Sequence, residues 1–234
     1  MIKKNIEVIV LVYKSIKYLD HIYSQLKEII VDRWKVNVRI VANDAISDVI
    51  KKLNMLDINK TIYFDQYPNA YYLERVYRCL NFAGQTSLYD NICFVNSDMV
   101  FGDKWLDNLL KYHNGRNIPC SRLVESGKLQ SGLYGISKNF GRHPDEIDYN
   151  GWTNYVQVIK KDKIENGGLY MPCVFETKTF VNSGMYPEGN LVVNGKIISG
   201  DHYFFYNILK NMRHITVFDS IVYHIQEGEM DDLC

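Results

Sequence analysis

The apolar positions of the first half of the chain switch between two periods. Residues 6–12 (IEVIVLV) form a short β-branched run, as a buried parallel strand does. Leu19, Ile22, Tyr23, Leu26, Ile29 and Ile30 then recur at three- and four-residue spacing, which predicts a helix over 18–30. The alternation repeats three times. Strands are expected at 36–42 (VNVRIVA), 61–64 (TIYF) and 91–95 (NICFV), and helices at 47–55, 71–82 and 104–112. Four βα units in a row predict a mostly parallel central sheet flanked by helices, with right-handed crossovers. In such α/β, Rossmann-like sheets ligands bind beyond the carboxyl ends of the strands, near the reversal of strand order. The loops after Val12, Ala42, Phe64 and Val95 are therefore where chemistry is expected.

The second half is patterned differently. Residues 124–154 are rich in Gly, Ser, Asn and charge and show little periodicity, which marks a long functional loop. Strand-like pieces follow at 155–159 and 169–174, then a short helix at 176–182 and a Gly/Asn-rich loop at 185–200. Asp201 opens a helix with Phe204, Phe205, Ile208, Leu209 and Met212 on one face. A last strand spans 220–225, and the tail is acidic. The organisation expected is one domain over 1–234, with a nucleotide-binding half at 1–115 and an acceptor-binding half at 116–234.

Composition narrows the function classes. Of the 234 residues 47% are hydrophobic and 23% charged, enough apolar material for a core and too much for disorder. Lys plus Arg equals Asp plus Glu at 27 each, so no global charge draws the chain to nucleic acid or anionic lipid. Five cysteines without CxxC spacing argue for reduced thiols rather than a zinc site or a disulfide framework. The opening MIKKNIEVIVLVYKS is interrupted by Glu7 and lacks a small-residue cleavage site, unlike a secretory leader. No run reaches the ~20 apolar residues of a transmembrane helix. The location expected is the cytoplasm, either free or peripheral to a membrane.

Four positions carry candidate chemistry. Asn96-Ser97-Asp98 follows the fourth strand, where a carboxylate either holds Mg²⁺ or Mn²⁺ against a diphosphate or caps the turn. Asp44 follows the second strand, where an acid grips a nucleoside or starts a helix. Asp201 sits where a Gly-containing loop becomes a helix, as a general base or an N-cap. His224 ends the last strand as a metal ligand or a satisfied half-buried imidazole. Tyr149, Trp152 and Tyr155 are aromatic candidates for stacking on an acceptor. His21 falls on the polar side of its helix and is expected at the surface.

Taken in order, these segments resemble the family-two glycosyltransferases of GT-A fold that share the DxD motif. Residues 6–19 (IEVIVLVYKSIKYL) are similar to that family's opening strand and turn, and 38–48 (VRIVANDAISD) to its second-strand segment. Residues 91–110 (NICFVNSDMVFGDKWLDNLL) resemble its DxD loop and following helix, 200–209 (GDHYFFYNIL) its ED motif, and 217–224 (VFDSIVYH) its closing strand. The resemblance implies that Val12 and Tyr13 border the base, Asp44 contacts the nucleoside, and Asn96 and Ser97 lie along the nucleotide. It further implies that Asp98 binds the metal, His224 completes that site, and Asp201 is the base of an inverting transfer. The implied donor is a nucleotide sugar, UDP- or dTDP-linked in preference to GDP-linked, and the acceptor a glycan, lipid-linked or protein hydroxyl. Two departures stand out: the motif's first acid is Asn96, and the ED pair is Gly200-Asp201. They keep open a catalytically silent, nucleotide- or glycan-binding relative. A sugar-nucleotide-forming nucleotidyltransferase ranks last, because the loop VYKSIKY has no glycine.

Overall fold

A computed structural model describes residues 4–27 and 29–229. The first half follows the expected alternation closely. It runs β1 (Lys4–Val12), α1 (Ile16–Leu26), β2 (Trp34–Asn43), α2 (Ser47–Met55), β3 (Asn59–Tyr63), α3 (Tyr72–Gln85), β4 (Asn91–Asn96), β5 (Met99–Phe101) and α4 (Trp105–Lys111). Ser15 starts α1 by accepting a hydrogen bond from the Tyr18 amide, so the helix begins earlier than its apolar stripe. It also ends earlier, at Leu26; Glu28 lies outside the described residues.

The second half comprises β6 (Asn117–Glu125), β7 (Ile136–Ser137), α5 (Tyr149–Ile159), β8 (Ile164–Asn166), β9 (Cys173–Glu176), α6 (Thr177–Asn182), β10 (Asn190–Val193), β11 (Lys196–Ser199), α7 (Gly200–Tyr203) and β12 (Arg213–His224). Several expectations are corrected here. Residues 155–159 are helix, not strand: Asp148 caps α5 through the Gly151 amide, and Trp152 and Val156 share its buried face. The loop at 185–200 contains the hairpin β10–β11, whose two-residue turn is Asn194-Gly195 with φ of 52° and 75°. That dipeptide is a strong hairpin signal, since both residues tolerate positive φ. The strand at 169–174 starts only at Cys173. The helix after Asp201 is one α turn, followed by a π turn over residues 204–208 with the Leu209 amide bonded to the Phe204 carbonyl at 2.8 Å. The last strand is twice the length expected.

Among the described residues, ten strands join one sheet in the order β3-β2-β1-β4-β9-β6-β12-β5, with β7 beside β6 and β8 beside β12. Pairings β3–β2–β1–β4 and β6–β12 are parallel; β9, β5 and β8 run antiparallel to their neighbours. Strand order reverses between β1 and β4, which opens a crevice at their carboxyl ends. The side-chain period of 2 divides β1 between two cores. Val8, Val10 and Val12 face a layer with Leu19, Ile22 and Leu106, whereas Ile9 faces Leu80, Phe94, Phe180 and Phe204. Cys79, Cys93, Cys120 and Cys173 are buried free thiols; Cys234 and the end of the acidic tail lie outside the described residues. No helix of the described residues is long and apolar enough to cross a membrane.

Two core histidines make the fold acid-sensitive. His113 hydrogen-bonds Asn91 Oδ1 at 2.7 Å and His214 the Leu169 carbonyl at 3.2 Å, each through Nε2. Burial pushes both down to about 4 from an ordinary 6.5. A depressed histidine favours the fold above its unfolded value, and that contribution is lost as pH falls toward 4. By pH 5.5 each should have cost about 1 kcal/mol. Melts at pH 7.5 and 5.5 test this: the acid-induced drop should shrink in His214→Gln, and an equal drop in that variant would refute the assignment.

Candidate active site

The crevice between β1 and β4 widens into a cavity of about 620 Å³, within the range of small-molecule sites. It is lined by Val12 and Tyr13 from the end of β1, by Asn96, Ser97 and Asp98 after β4, by His224 at the end of β12, and by Asp201 at the start of α7. Seven of the residues singled out in the sequence thus meet in one place. They come from four separate segments: β1, β4 and β12 deliver their carboxyl ends to one edge of the sheet, and Asp201 arrives from the separate hairpin β10–β11.

Asp98 and His224 are set by strand register. The turn Ser97-Asp98 joins β4 to β5, and β5 returns antiparallel to β12 with Met99 opposite His224. This places His224 Nε2 3.2 Å from Asp98 Oδ2. On its other side His224 Nδ1 lies 3.4 Å from Glu125 Oε1, at the end of β6. Glu125 is held in turn by the Ser131 hydroxyl and by Gln226 Nε2 at 3.2 Å. Burial opposes charge on His224, but the two carboxylates outweigh it and raise the imidazole well above its ordinary value. Reciprocally, burial would raise Asp98 and Glu125, yet the imidazolium holds both below the usual carboxylate range.

The donor set suits a divalent ion in part. With the His224 proton displaced by the ion, as metal binding to an imidazole requires, Asp98 Oδ2 and His224 Nε2 are close enough to share one ion whose bonds to oxygen run about 2.0–2.1 Å. Glu125 occupies the place of the carboxylate that commonly orients a metal-bound histidine through its other ring nitrogen. Among the described residues no cluster of three His, Cys, Asp or Glu side chains forms a metal cage. An ion held by Asp98 and His224 would therefore draw its remaining ligands from water and substrate oxygens, as Mg²⁺ and Mn²⁺ do with phosphates.

Asp201 is oriented by its own helix start. Its Oδ1 accepts from the Ser199 hydroxyl and from the His202 amide at 2.7 Å, and its amide donates to the Tyr77 hydroxyl at 3.3 Å. Gly200 is required there: a Cβ would meet the Pro187 carbonyl oxygen at 2.6 Å. Asp44 lies at the edge rather than in the wall. Oδ1 accepts from the Asp65 amide at 2.8 Å, and Oδ2 pairs with Arg75 NH1 at 3.1 Å. Arg75 reaches on to the Tyr13 hydroxyl at 3.1 Å. Burial would raise that phenol, but Lys14 and Arg75 together lower it.

Other positions fall elsewhere. Trp152 and Tyr155 pack in an aromatic cluster with Phe140 and Tyr223, and Trp152 is 2% exposed, outside the cavity. His21, expected at the surface, is buried between the Met99 carbonyl (3.0 Å from Nε2) and the Tyr149 hydroxyl (3.2 Å from Nδ1). Its helix position is flanked by β5 and α5, which the helical stripe alone does not reveal. Sequence reasoning missed Glu125, Arg75 and Glu229. Glu229 lies in the cavity with its carboxylate on the Ser97 hydroxyl at 2.6 Å.

No family model and no curated relative matches the chain. Solved structures do. The crystal structure of GalNAc-T7 with UDP, GalNAc and Mn²⁺ superposes with a TM-score of 0.61 at 10% identity, over 95% of this chain and 44% of that one. The structure of S. aureus TarS 1-349 gives 0.61 at 12% identity, over 98% of this chain and 62% of that one. Its complex with UDP gives 0.58 at 13%, over 94% and 60%. This chain thus spans between 44% and 62% of the length of these three structures. At such identity the likeness concerns architecture: the chain has a mostly parallel α/β sheet of the kind seen in GT-A glycosyltransferases.

Proposed function

We propose that this protein is a glycosyltransferase that moves a sugar from a nucleoside-diphosphate sugar to an acceptor hydroxyl, with inversion and with divalent-metal assistance. The observation that carries the reading is that Asp98, His224 and Asp201 line one and the same cavity at the ends of β1 and β4. The presence of UDP in two similar structures, and of Mn²⁺ and GalNAc in one, adds weight. On this reading residues 1–115 hold the donor and 116–234 contribute the acceptor side. Tyr13 and Asn96 flank the nucleotide, and Asp44 acts on the nucleoside through Arg75. When bound at Asp98 and His224, a divalent ion supplies positive charge to the leaving diphosphate. Asp201 takes the proton of the acceptor hydroxyl. That oxygen bonds to the anomeric carbon as the bond to the diphosphate breaks, and the electron pair leaves with the nucleoside diphosphate. The cytoplasm, free or at a membrane surface, is the location this reading carries.

A second reading, a silent nucleotide-binding relative, draws on Asn96 in place of an acid and on Glu229 inside the cavity. A melting panel with UDP, dTDP and GDP, with and without Mn²⁺, tests the first. A nucleotide at 100 times its Kd should add about 2.7 kcal/mol, roughly 5–10 °C for a domain of this size. Asp98→Ala should remove the metal-dependent share. Absence of any shift under every condition would sink the donor reading. Shifts without turnover on any acceptor would favour the silent relative.

A further inference from the structure

The β1 side of the cavity is filled by the chain itself. After β12 the backbone turns back over Asp98: the Ile225 amide bonds the Asp98 carbonyl at 3.0 Å, and the Gly228 amide reaches Asp98 Oδ2 at 3.3 Å. The turn is costly in backbone terms. Gln226 and Glu227 both adopt left-handed φ, 63° and 52°, a region that residues with a Cβ enter only under constraint. Gly228 lies so close that a Cβ there would meet Asp98 Cβ at 2.5 Å. This strained strap delivers the Glu229 carboxylate to three successive amides, Tyr13 at 2.9 Å, Lys14 at 2.8 Å and Ser15 at 3.2 Å, and to the Ser97 hydroxyl at 2.6 Å. Successive backbone N–H groups converging on one point make a concavity for oxygen acceptors, and here it holds one.

We propose that Glu229 occupies in cis, at the amides of residues 13–15 and the Ser97 hydroxyl, the place of a nucleoside diphosphate's own acceptor oxygens, until the nucleotide displaces residues 227–229 about the anchored Gln226. The inference rests on the donor reading above. A nucleoside diphosphate offers two sources of such oxygens, the base carbonyls and the phosphates, and both belong in this crevice. The strap competes at two points, because Gly228 holds the same Asp98 oxygen that faces His224. Apparent affinity is reduced by the fraction of molecules with the strap down, so releasing it tightens binding without any new contact.

The test is titration calorimetry of the full chain with UDP, uridine and inorganic pyrophosphate, on wild type, Glu229→Gln and Glu229→Ala, with Asp162→Asn as a remote charge control. Hydrogen exchange of the amides of residues 13–15 is followed in the same proteins. Both Glu229 variants should bind UDP about tenfold more tightly, the gain expected from a strap closed about nine tenths of the time. Their residue 13–15 amides should exchange faster, while Asp162→Asn matches wild type. Tightening of uridine assigns the site to the base, and tightening of pyrophosphate assigns it to the phosphates. Pyrophosphate that tightens while UDP and uridine bind to no variant keeps the self-occupied site and overturns the donor reading. Measurable UDP binding with unchanged affinity in both variants, whatever the exchange rates, overturns the proposal and leaves Glu229 as a structural latch. Failure of all three probes to bind any variant overturns both.

Discussion

Asp201→Asn is expected to slow sugar transfer by about 10²–10⁴-fold, the usual worth of a positioned general base, while UDP affinity and melting temperature stay close to wild type. The amide keeps the shape of the carboxylate and can still meet the Ser199 hydroxyl and the His202 amide at Oδ1. What it loses is the capacity to take a proton. Asp201 does not touch the Asp98–His224 pair, so the donor side should be indifferent to the change. The measurement is a split one: kcat for transfer, and the UDP-induced shift in Tm. Near-normal turnover in this variant would remove Asp201 from the reaction. Loss of UDP binding together with turnover would mean instead that Asp201 shapes the cavity.

Arg39→Met is expected to cost about 3–5 kcal/mol of stability, the penalty for leaving a buried charge without its partner. Glu7 and Arg39 are nearly inaccessible neighbours on β1 and β2, with Arg39 NH2 2.9 Å from Glu7 Oε2. Glu7 Oε1 also accepts from Asn37 Nδ2 at 2.9 Å, and Arg39 NH1 donates to the Thr86 hydroxyl at 3.0 Å, which ties the pair to the end of α3. Tm should fall by roughly 10 °C at this chain length. Replacing both partners, Glu7→Met with Arg39→Met, should recover much of the loss, because a well-packed apolar pair avoids both desolvation costs. A single variant as stable as wild type would show that the carboxylate reaches water or a proton on its own.

The contrast between the two halves of the chain explains what could be read in advance. β1, β2 and β4 carry β-branched and aliphatic runs with few polar interruptions, Glu7 in β1 and Asn37 and Arg39 in β2, so each announces itself, and α1 and α3 carry stripes wide enough to count. β6 does not: Pro119, Ser121 and Arg122 break its run, and it is a central strand only because β9 and β12 flank it. β12 is interrupted where Val217 and Ile221 shift register across Asp219 and Ser220, so only its second part reads as strand. Strands of three or four residues, such as β5, β8 and β9, are too short to show a period at all. The site follows the same rule. Asp98, His224 and Asp201 stand at strand or helix ends, where position makes them candidates and the family resemblance, not position, supplies the roles proposed for them. Glu125 lies 99 residues from His224 and Glu229 lies 132 residues from Ser97. Their roles exist only once the chain has folded, and no local pattern announces them.

The pairing of Met99 with His224 has one more consequence. The separation of Asp98 and His224 is written in main-chain hydrogen bonds between β5 and β12, not in the composition of the loops around them. A slip of one residue would turn the histidine to the opposite face of the sheet, so the ladder can hold only one working arrangement. The Gly/Ser-rich stretch after β6, which lends Leu129 to the cavity wall, and the hairpin β10–β11, which leads into Gly200-Asp201, are under no such restriction. On the function proposed above, a lineage could exchange these segments again and again, taking up new acceptors, while the donor chemistry beneath stays fixed by the weave of the sheet.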